Sequence, residues 1–235
     1  MLKEKMSYSL TKNLLSKSLP KVAYDILNPK PSGTSATMGN VYELVLKNGD
    51  TECLNIWTDT KTRGVKFEKW VKENEYEPET CVTEVEYTDC CTFLTAMAQQ
   101  GVCDVIRGMD YQEHVEGEGW HGYLDFSNSE IIYDLKMTSK GNDWAKTVLN
   151  MHYDIQAYLY TLDGRELRWI VVDDSAPFYA FIGEPHCDFI ESGKRKYESA
   201  LPLFEKLNNY QGLGPVESKL VEPPYWLKLQ NDRGE

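Results

Sequence analysis

Positive charge is what this 235-residue chain is short of: 25 Lys and Arg face 37 Asp and Glu, for a formal net charge of −12. That deficit argues against a general, sequence-blind nucleic-acid coat, which needs a broadly basic surface. Any nucleic-acid contact then falls to a localised basic track. The chain also lacks a Cys-x-x-Cys pair. Its six cysteines (Cys53, Cys81, Cys90, Cys91, Cys103, Cys187) read as reduced structural thiols, because neighbours such as Cys90 and Cys91 on a helix cannot point at one metal. No apolar run approaches the ~18 residues a membrane helix needs, and MLKEKMSYSL has no apolar signal-peptide core. The expectation is a soluble, cytoplasmic protein with no membrane partner. Disorder and fibrous architectures are excluded by ordinary globular usage, with 41% hydrophobic and 26% charged residues.

The pattern along the chain predicts one α/β (α+β) domain over 1–235, with a helical part at 1–108, a core at 109–210 and a surface tail at 211–235 in which Trp226 is a candidate anchor. Residues 9–27 read as one or two helices broken before Pro20. A helix opening near Gly39 ends at Asn48-Gly49-Asp50, and Phe67, Trp70 and Val71 share a helix face in the basic stretch 61–74. Thr83 and Glu86 form a capping box for a helix running to about Gln100, stopped by Gly101. After Gly108 come three short β-rich segments, 111–116, 120–126 and 130–137, separated by turn signals as in an antiparallel meander. A helix over 143–161, strands at 167–174 and 177–182, and an amphipathic helix over 187–208 complete the series.

The chemistry concentrates in HGYLDFSNSEIIYDLKM, residues 121–137. Strand alternation puts Asp134 and Lys136 on one face and Tyr133, Leu135 and Met137 on the other. Ionised side chains in so apolar a segment are costly to bury unless paired or metal-bound. A turn of two residues, Asn128-Ser129, or of four, 127–130, pairs Asp125 with Ile132 and Tyr123 with Asp134. Asp125, Asp134, Lys136 and His121 then share a face, with the two carboxylates as diagonal neighbours able to converge on one cation. Two hard carboxylates beside a lysine suit Mg²⁺, with Mn²⁺ as substitute, and a polarised water. Asp-x-Lys by itself also reads as a cross-strand ion pair. His152, Gln156 and Tyr160 follow at i, i+4 and i+8 on the next helix, and Glu43 adds a third carboxylate upstream.

This ordered set, helix Glu, strand Asp, Asp-x-Lys and Gln-x-x-x-Tyr, resembles the PD-(D/E)XK nuclease superfamily, in particular its RecE-like branch of exodeoxyribonuclease VIII and phage recombination exonucleases. GYLDF, IIYDLKMTS and YDIQAYLYTLDG carry the resemblance, which continues through RWIVVDDSAPFYAFIG and ESGKRKYESALPLF. Weaker echoes lie in SLTKNLLSKSLPKVAYDIL, MGNVYELVLKNGD and TKTRGVKFEKWVKENE. The resemblance implies a restriction-endonuclease-like core, a central mixed sheet of about five strands flanked by helices. It implies Asp125, Asp134 and the Leu135 backbone carbonyl as metal ligands, Lys136 as the catalytic lysine, and Gln156 and Tyr160 as residues placing DNA and the catalytic strand. The family's helix ligand is typically histidine in Gly-x-x-x-His. Here Gly39 is followed at that spacing by Glu43, and a shift of one would substitute Tyr42. Glu113 or Gln112 corresponds to an accessory acid on the preceding strand.

By the same resemblance the activity is Mg²⁺-dependent 5′-to-3′ resection of linear double-stranded DNA, leaving a 3′ strand for a single-strand annealing protein in phage-type recombination, by a homo-oligomeric ring in a bacterial host cell. Phosphate contacts would come from Lys140 and Lys146, Lys61 to Lys72, or Lys194-Arg195-Lys196. The competing readings are a structure-specific or restriction-like endonuclease on the same core, and a catalytically inactive DNA-binding subunit.

Overall fold

The computed structural model describes residues 4–29, 34–59 and 62–210. Lys61 and the expected surface tail 211–235 with Trp226 lie outside the described residues. Helices α1 (Tyr8–Ser16) and α2 (Leu19–Leu27) are separated at Lys17–Ser18, and Pro20 sits in the first turn of α2, where its missing N–H costs nothing. Helix α3 (Thr34–Asn48) stops at Gly49, whose φ of +73° suits a residue without a Cβ. Strand β1 (Asn55–Trp57), helix α4 (Val65–Glu73) and strand β2 (Cys81–Thr83) follow, β1 and β2 pairing in parallel. Three-residue strands carry too little alternation to be read from sequence, and this small sheet went unforeseen. Helix α5 (Glu84–Gln99) opens on the expected capping box: Glu86 N–H donates to the Thr83 hydroxyl, and Thr83 N–H to the Glu86 carboxylate.

A short α6 (Val102–Val105) leads to β3 (Asp110–Gly117), β4 (Trp120–Ser127) and β5 (Ile131–Thr138), the expected antiparallel meander. Helices α7 (Trp144–Met151) and α8 (Tyr153–Thr161) replace the single helix expected over 143–161. His152, at φ +61°, lies in the left-handed region and breaks the helix there. Strand β6 (Glu166–Asp173) returns parallel to β5, and β7 (Ala180–Gly183) lies antiparallel to β6. The last strand starts later than the expected 177–182, at Ala180, after Phe178 takes a left-handed φ of +56°. Helix α9 (Cys187–Asn208) spans the expected residues, accommodating Pro202. No described helix is long and apolar enough to cross a membrane.

The mixed sheet has the order β3-β4-β5-β6-β7 and is covered on both faces. On β6, Leu167, Trp169 and Val171 join a cluster with α1, α2, α7, α8 and α9; Ile170 and Val172 join a second cluster with α3, α5 and α6. Cys90, at the centre of the second cluster, has its thiol pushed up to about 12 by burial, and all six cysteines are free thiols. Helices α8 and α9 approach so closely that a Cβ on Gly193 would lie 1.9 Å from the Asp154 carbonyl oxygen.

Gly193→Ala is therefore expected to destabilise the fold by about 1–3 kcal/mol in urea denaturation, since backbone must move to admit the methyl. Gly64→Ala, at a helix start with open space around its Cα, is expected to stay within about 0.5 kcal/mol.

Candidate active site

The ladder between β4 and β5 consists of two pairs, Phe126–Tyr133 and Ser127–Ile132, although each strand has eight residues. This register lies two residues from the expected Asp125–Ile132 pairing. Asn128 sets it: its side-chain oxygen accepts from the N–H groups of Glu130 and Ile131, and its own N–H donates to the Ile131 carbonyl. The closed turn is thus 128–131. Because the slip is even, alternation on β5 is unaffected, and Asp134 faces α8 while Tyr133, Leu135 and Met137 join the opposite cluster.

Beyond the two pairs the strands part, and the candidate site lies in the opening. Asp125 spans it, one carboxylate oxygen accepting from Leu135 N–H at 2.8 Å. On β4, Leu124 belongs to the α8-side cluster and Phe126 to the α5-side cluster, so alternation breaks at Asp125. Its cross-strand neighbour on β3, Gln112, has a left-handed φ of +53° and interrupts the ladder between Tyr111–Phe126 and Glu113–Leu124.

Asp134 is 1% exposed. It pairs with Lys136 Nζ and accepts from Gln156 Nε2 at 2.6 Å. The Lys136 ammonium also lies 4.9 Å from the centroid of the Tyr153 ring, a cation–π contact. Tyr160 donates to the Tyr123 carbonyl at 2.7 Å, capping a β4 edge that β5 has left. Its ring lies so near β4 that a Cβ on Gly122 would come within 2.8 Å of it. Only glycine lets α8 brace the strand this closely.

On helix α3, Tyr42 and Glu43 point to different sides. Tyr42 is buried against Phe93 and Phe178, ring centroids 4.6 and 5.8 Å away. Glu43 faces the opening, accepts from Gln112 Nε2 at 2.9 Å, and senses the charges of Asp134 and Lys136. Glu113 turns elsewhere, to Arg165 at 2.7 Å and Ser127 at 2.5 Å, so Gln112 is the β3 residue at the site. His121 sits four residues before Asp125 on β4, where its ring neighbours His114, and it does not join the acids. His152 leaves the Gln156–Tyr160 stripe because the helix breaks at it.

The expected phosphate-binding clusters are partly spent on internal pairs. Lys196 turns inward to Asp154 at 2.6 Å, Arg63 pairs with Glu86 at 2.8 Å, Lys66 approaches Asp59 at 3.8 Å, and Lys146 approaches Asp143 at 3.8 Å. Two contributors were missed in the sequence. Tyr153 stands three residues before Gln156, a helical spacing that signals a shared face. Asp154, fully buried, accepts from Ser192 at 2.7 Å and pairs with Lys196, fastening the first turn of α8 to α9.

Burial and mutual repulsion dominate the electrostatics. Burial, with Asp134 and Glu43 nearby, holds the Asp125 carboxyl well above the usual range. Burial, reinforced by Asp134, pushes Glu43 from 4.5 to about 7. Burial pulls the Lys136 amine down, but Asp134 and Asp125 overcome it and leave the amine above the ordinary lysine range. Three carboxylates thus face one ammonium. A hard divalent cation fits this set in charge and in donor type, oxygen throughout, with the Leu135 backbone in reach. The donor oxygens of Glu43, Asp125 and Asp134 are not all within 4.8 Å of one another. Among the described residues, the donor atoms of His186, Cys187 and Asp188, an exposed run at the start of α9, do lie within 4.8 Å of one another.

The acids thus lie in a mixed five-stranded sheet with helices on both faces, where β4 and β5 part and a lysine stands two residues after one of the buried acids. The chain is similar to the crystal structure of a candidate exonuclease from Eubacterium rectale, with a TM-score of 0.64 at 14% identity over 96% of this chain and 92% of that one. This likeness establishes the fold. More remote likenesses are to a phage-related exonuclease from Haemophilus somnus (TM-score 0.38, 15% identity, 87% of this chain and 95% of that one) and an alkaline exonuclease from Laribacter hongkongensis (0.37, 11%, 98% and 94%). No protein-family model and no curated protein matches the sequence.

In chelator, the Glu43 shift makes stability fall as pH rises. The folded state keeps the Glu43 proton up to about 7 while the unfolded chain releases it near 4.5, so folding weakens across that window. Urea midpoints measured from pH 4 to 8 are expected to show this slope, flattened in Glu43→Gln.

Proposed function

We propose that the protein is a Mg²⁺-dependent deoxyribonuclease, an exonuclease that resects linear double-stranded DNA 5′ to 3′ and leaves 3′ single strands for recombination by strand annealing. The observation that carries the nuclease reading is the meeting of Asp125, Asp134, Lys136 and Gln156 where β4 and β5 part. The exonuclease type is supported by the shared fold with the Eubacterium rectale protein. The polarity, the annealing partner, the homo-oligomeric ring and the cytoplasmic location rest on the sequence resemblance to the RecE-like branch. So does the proposal that the whole chain is one nuclease domain.

In this reading Asp125, Asp134, Glu43 and the Leu135 carbonyl hold Mg²⁺, with Mn²⁺ able to replace it. The bound ion supplies a Lewis acid and an acidified water. Lys136 places a fixed positive charge where negative charge develops on the phosphate. Gln156 holds the Asp134 carboxylate in its rotamer, leaving the second oxygen to Lys136. Tyr160 fixes the β4 backbone at Tyr123, two residues before Asp125, and so sets where that acid stands. Tyr153 keeps the ammonium from folding away.

Purified protein with Mg²⁺ is expected to release nucleotides from linear duplex and to leave covalently closed circles intact. Release from a 5′ label is expected to precede release from a 3′ label; the reverse order would overturn the polarity. Asp134→Asn and Lys136→Ala are each expected to lower the rate by on the order of 10²–10³-fold. Unchanged release in both would overturn the nuclease reading. Scission of closed circles would favour an endonuclease.

Mg²⁺ is also expected to raise the thermal midpoint of the wild-type chain, because it binds the folded state and not the unfolded one. Differential scanning fluorimetry should show no such rise in an Asp125→Asn, Asp134→Asn double variant.

A further inference from the structure

Leading away from Asp125, β4 carries Tyr123 and then His121 at alternate positions. On β3, His114 stands directly opposite Tyr123, and Glu116 opposite His121. The rings of His114 and Tyr123 are 4.9 Å apart between centroids, and those of His114 and His121 are 6.1 Å apart. Tyr123 is 55% exposed, although it adjoins the fully buried Leu124 and lies two residues from Asp125. Strand rise puts its Cα about 7 Å from that of Asp125 and the Cα of His121 about 13 Å away. A row of rings therefore begins one short step from the candidate site and follows the hairpin outward.

This row is rigidly mounted. Tyr160 grips the Tyr123 carbonyl at 2.7 Å from the other side of β4, and its ring occupies the space that glycine leaves at 122. The β3–β4 ladder holds His114 across from Tyr123. The braced strand fixes where the Tyr123 ring is mounted, and the His114 ring 4.9 Å away limits its rotation, which gives a stacking partner a partly preorganised surface.

We propose that the outward face of the β3–β4 hairpin, with Tyr123 at its centre flanked by His114 and His121, is a stacking platform for the bases of a single DNA strand next to the scissile phosphate. The occupant follows from two observations. The row stands on the strand that carries Asp125, with Tyr123 two residues away, so a polymer with one phosphate at Asp125 would lay its neighbouring nucleotide near Tyr123. The chain is also short of positive charge, at −12 overall. Three basic groups of the sheet and its helices are engaged within the chain, Lys136 with Asp134, Arg165 with Glu113 and Asp163, and Lys196 with Asp154. Stacking on aromatic faces grips any base without drawing on phosphate charge. The platform rests on the nuclease reading for its substrate but is measured separately from cutting.

The test uses the full-length chain carrying Asp134→Asn, with Mg²⁺ present, and measures fluorescence anisotropy of a labelled single-stranded oligothymidylate. Adding Tyr123→Ala is expected to weaken binding by roughly 5- to 100-fold. Tyr123→Trp is expected to hold or tighten it. On an oligomer of the same length that lacks bases, Tyr123→Ala and its parent are expected to bind equally. Equal binding of oligothymidylate by the Tyr123→Ala protein and its parent would overturn the platform. So would an equal loss with Tyr123→Trp, or a full loss on the abasic strand. Failure of the platform would leave Mg²⁺-dependent cutting by the wild-type enzyme in place. Failure of the nuclease reading would appear as absent cutting, whatever Tyr123 does to binding.

Discussion

The parting of β4 and β5 after two residue pairs is the constraint on which the rest depends. Had the ladder continued, the backbone of β5 near Asp134 would be engaged by β4, and the opening between the strands would be filled. The turn at Asn128 starts the ladder and the break in alternation at Asp125 ends it. Side chains then do what the ladder no longer does: Asp125 takes the Leu135 N–H, and Tyr160 takes the Tyr123 carbonyl. Buried backbone polar groups need partners, and here they find them in groups that also shape the site.

Packing on both faces keeps the opening from collapsing. On one side α8 brings Gln156, Tyr160 and Tyr153 to Asp134, β4 and Lys136; on the other α3 brings Glu43. Helix α8 is in turn tied to α9 through Asp154, Ser192 and Lys196, with Gly193 allowing the close approach. The left-handed His152 separates α8 from α7, so α8 lies against the sheet at its own angle. The acids are thereby held together against their repulsion, which the raised Asp125 and Glu43 record. A bound cation would relieve the repulsion between these acids.

Much of this was legible in the sequence where a local rule decides. The Thr83–Glu86 capping box and the apolar spacing of α9 have one physical reading each, and both elements stand where that reading puts them. The face shared by Asp134 and Lys136 was legible because alternation has a period of two. The same parity kept Asp134 and Lys136 on one face although the register differs from the expected one by two residues. What could not be read depends on distant contacts or unusual backbone. Nothing in a histidine announces a left-handed φ. The inward turn of Lys196 depends on Asp154, 42 positions earlier in the chain. Whether Glu43 or Tyr42 faces the acids is fixed by which side of α3 packs on Phe93 and Phe178. A motif places a residue type; packing decides its direction.

The start of β4 has a neighbour that is not a strand of the sheet. Met6 lies beside Trp120, its N–H donating to the Gly119 carbonyl at 2.9 Å and its carbonyl accepting from His121 N–H at 3.0 Å. Residues more than a hundred positions apart are joined there, and contacts of such span slow folding, because the entropy of closing the loop between them is lost before the contact stabilises anything. During synthesis, residue 6 must wait for residue 119 to leave the ribosome. Until it does, the early part of β4's future edge partner is a loose end beside an unfinished sheet. The helical N-terminal segment is thus a clasp that the chain makes early and cannot fasten until β4 exists.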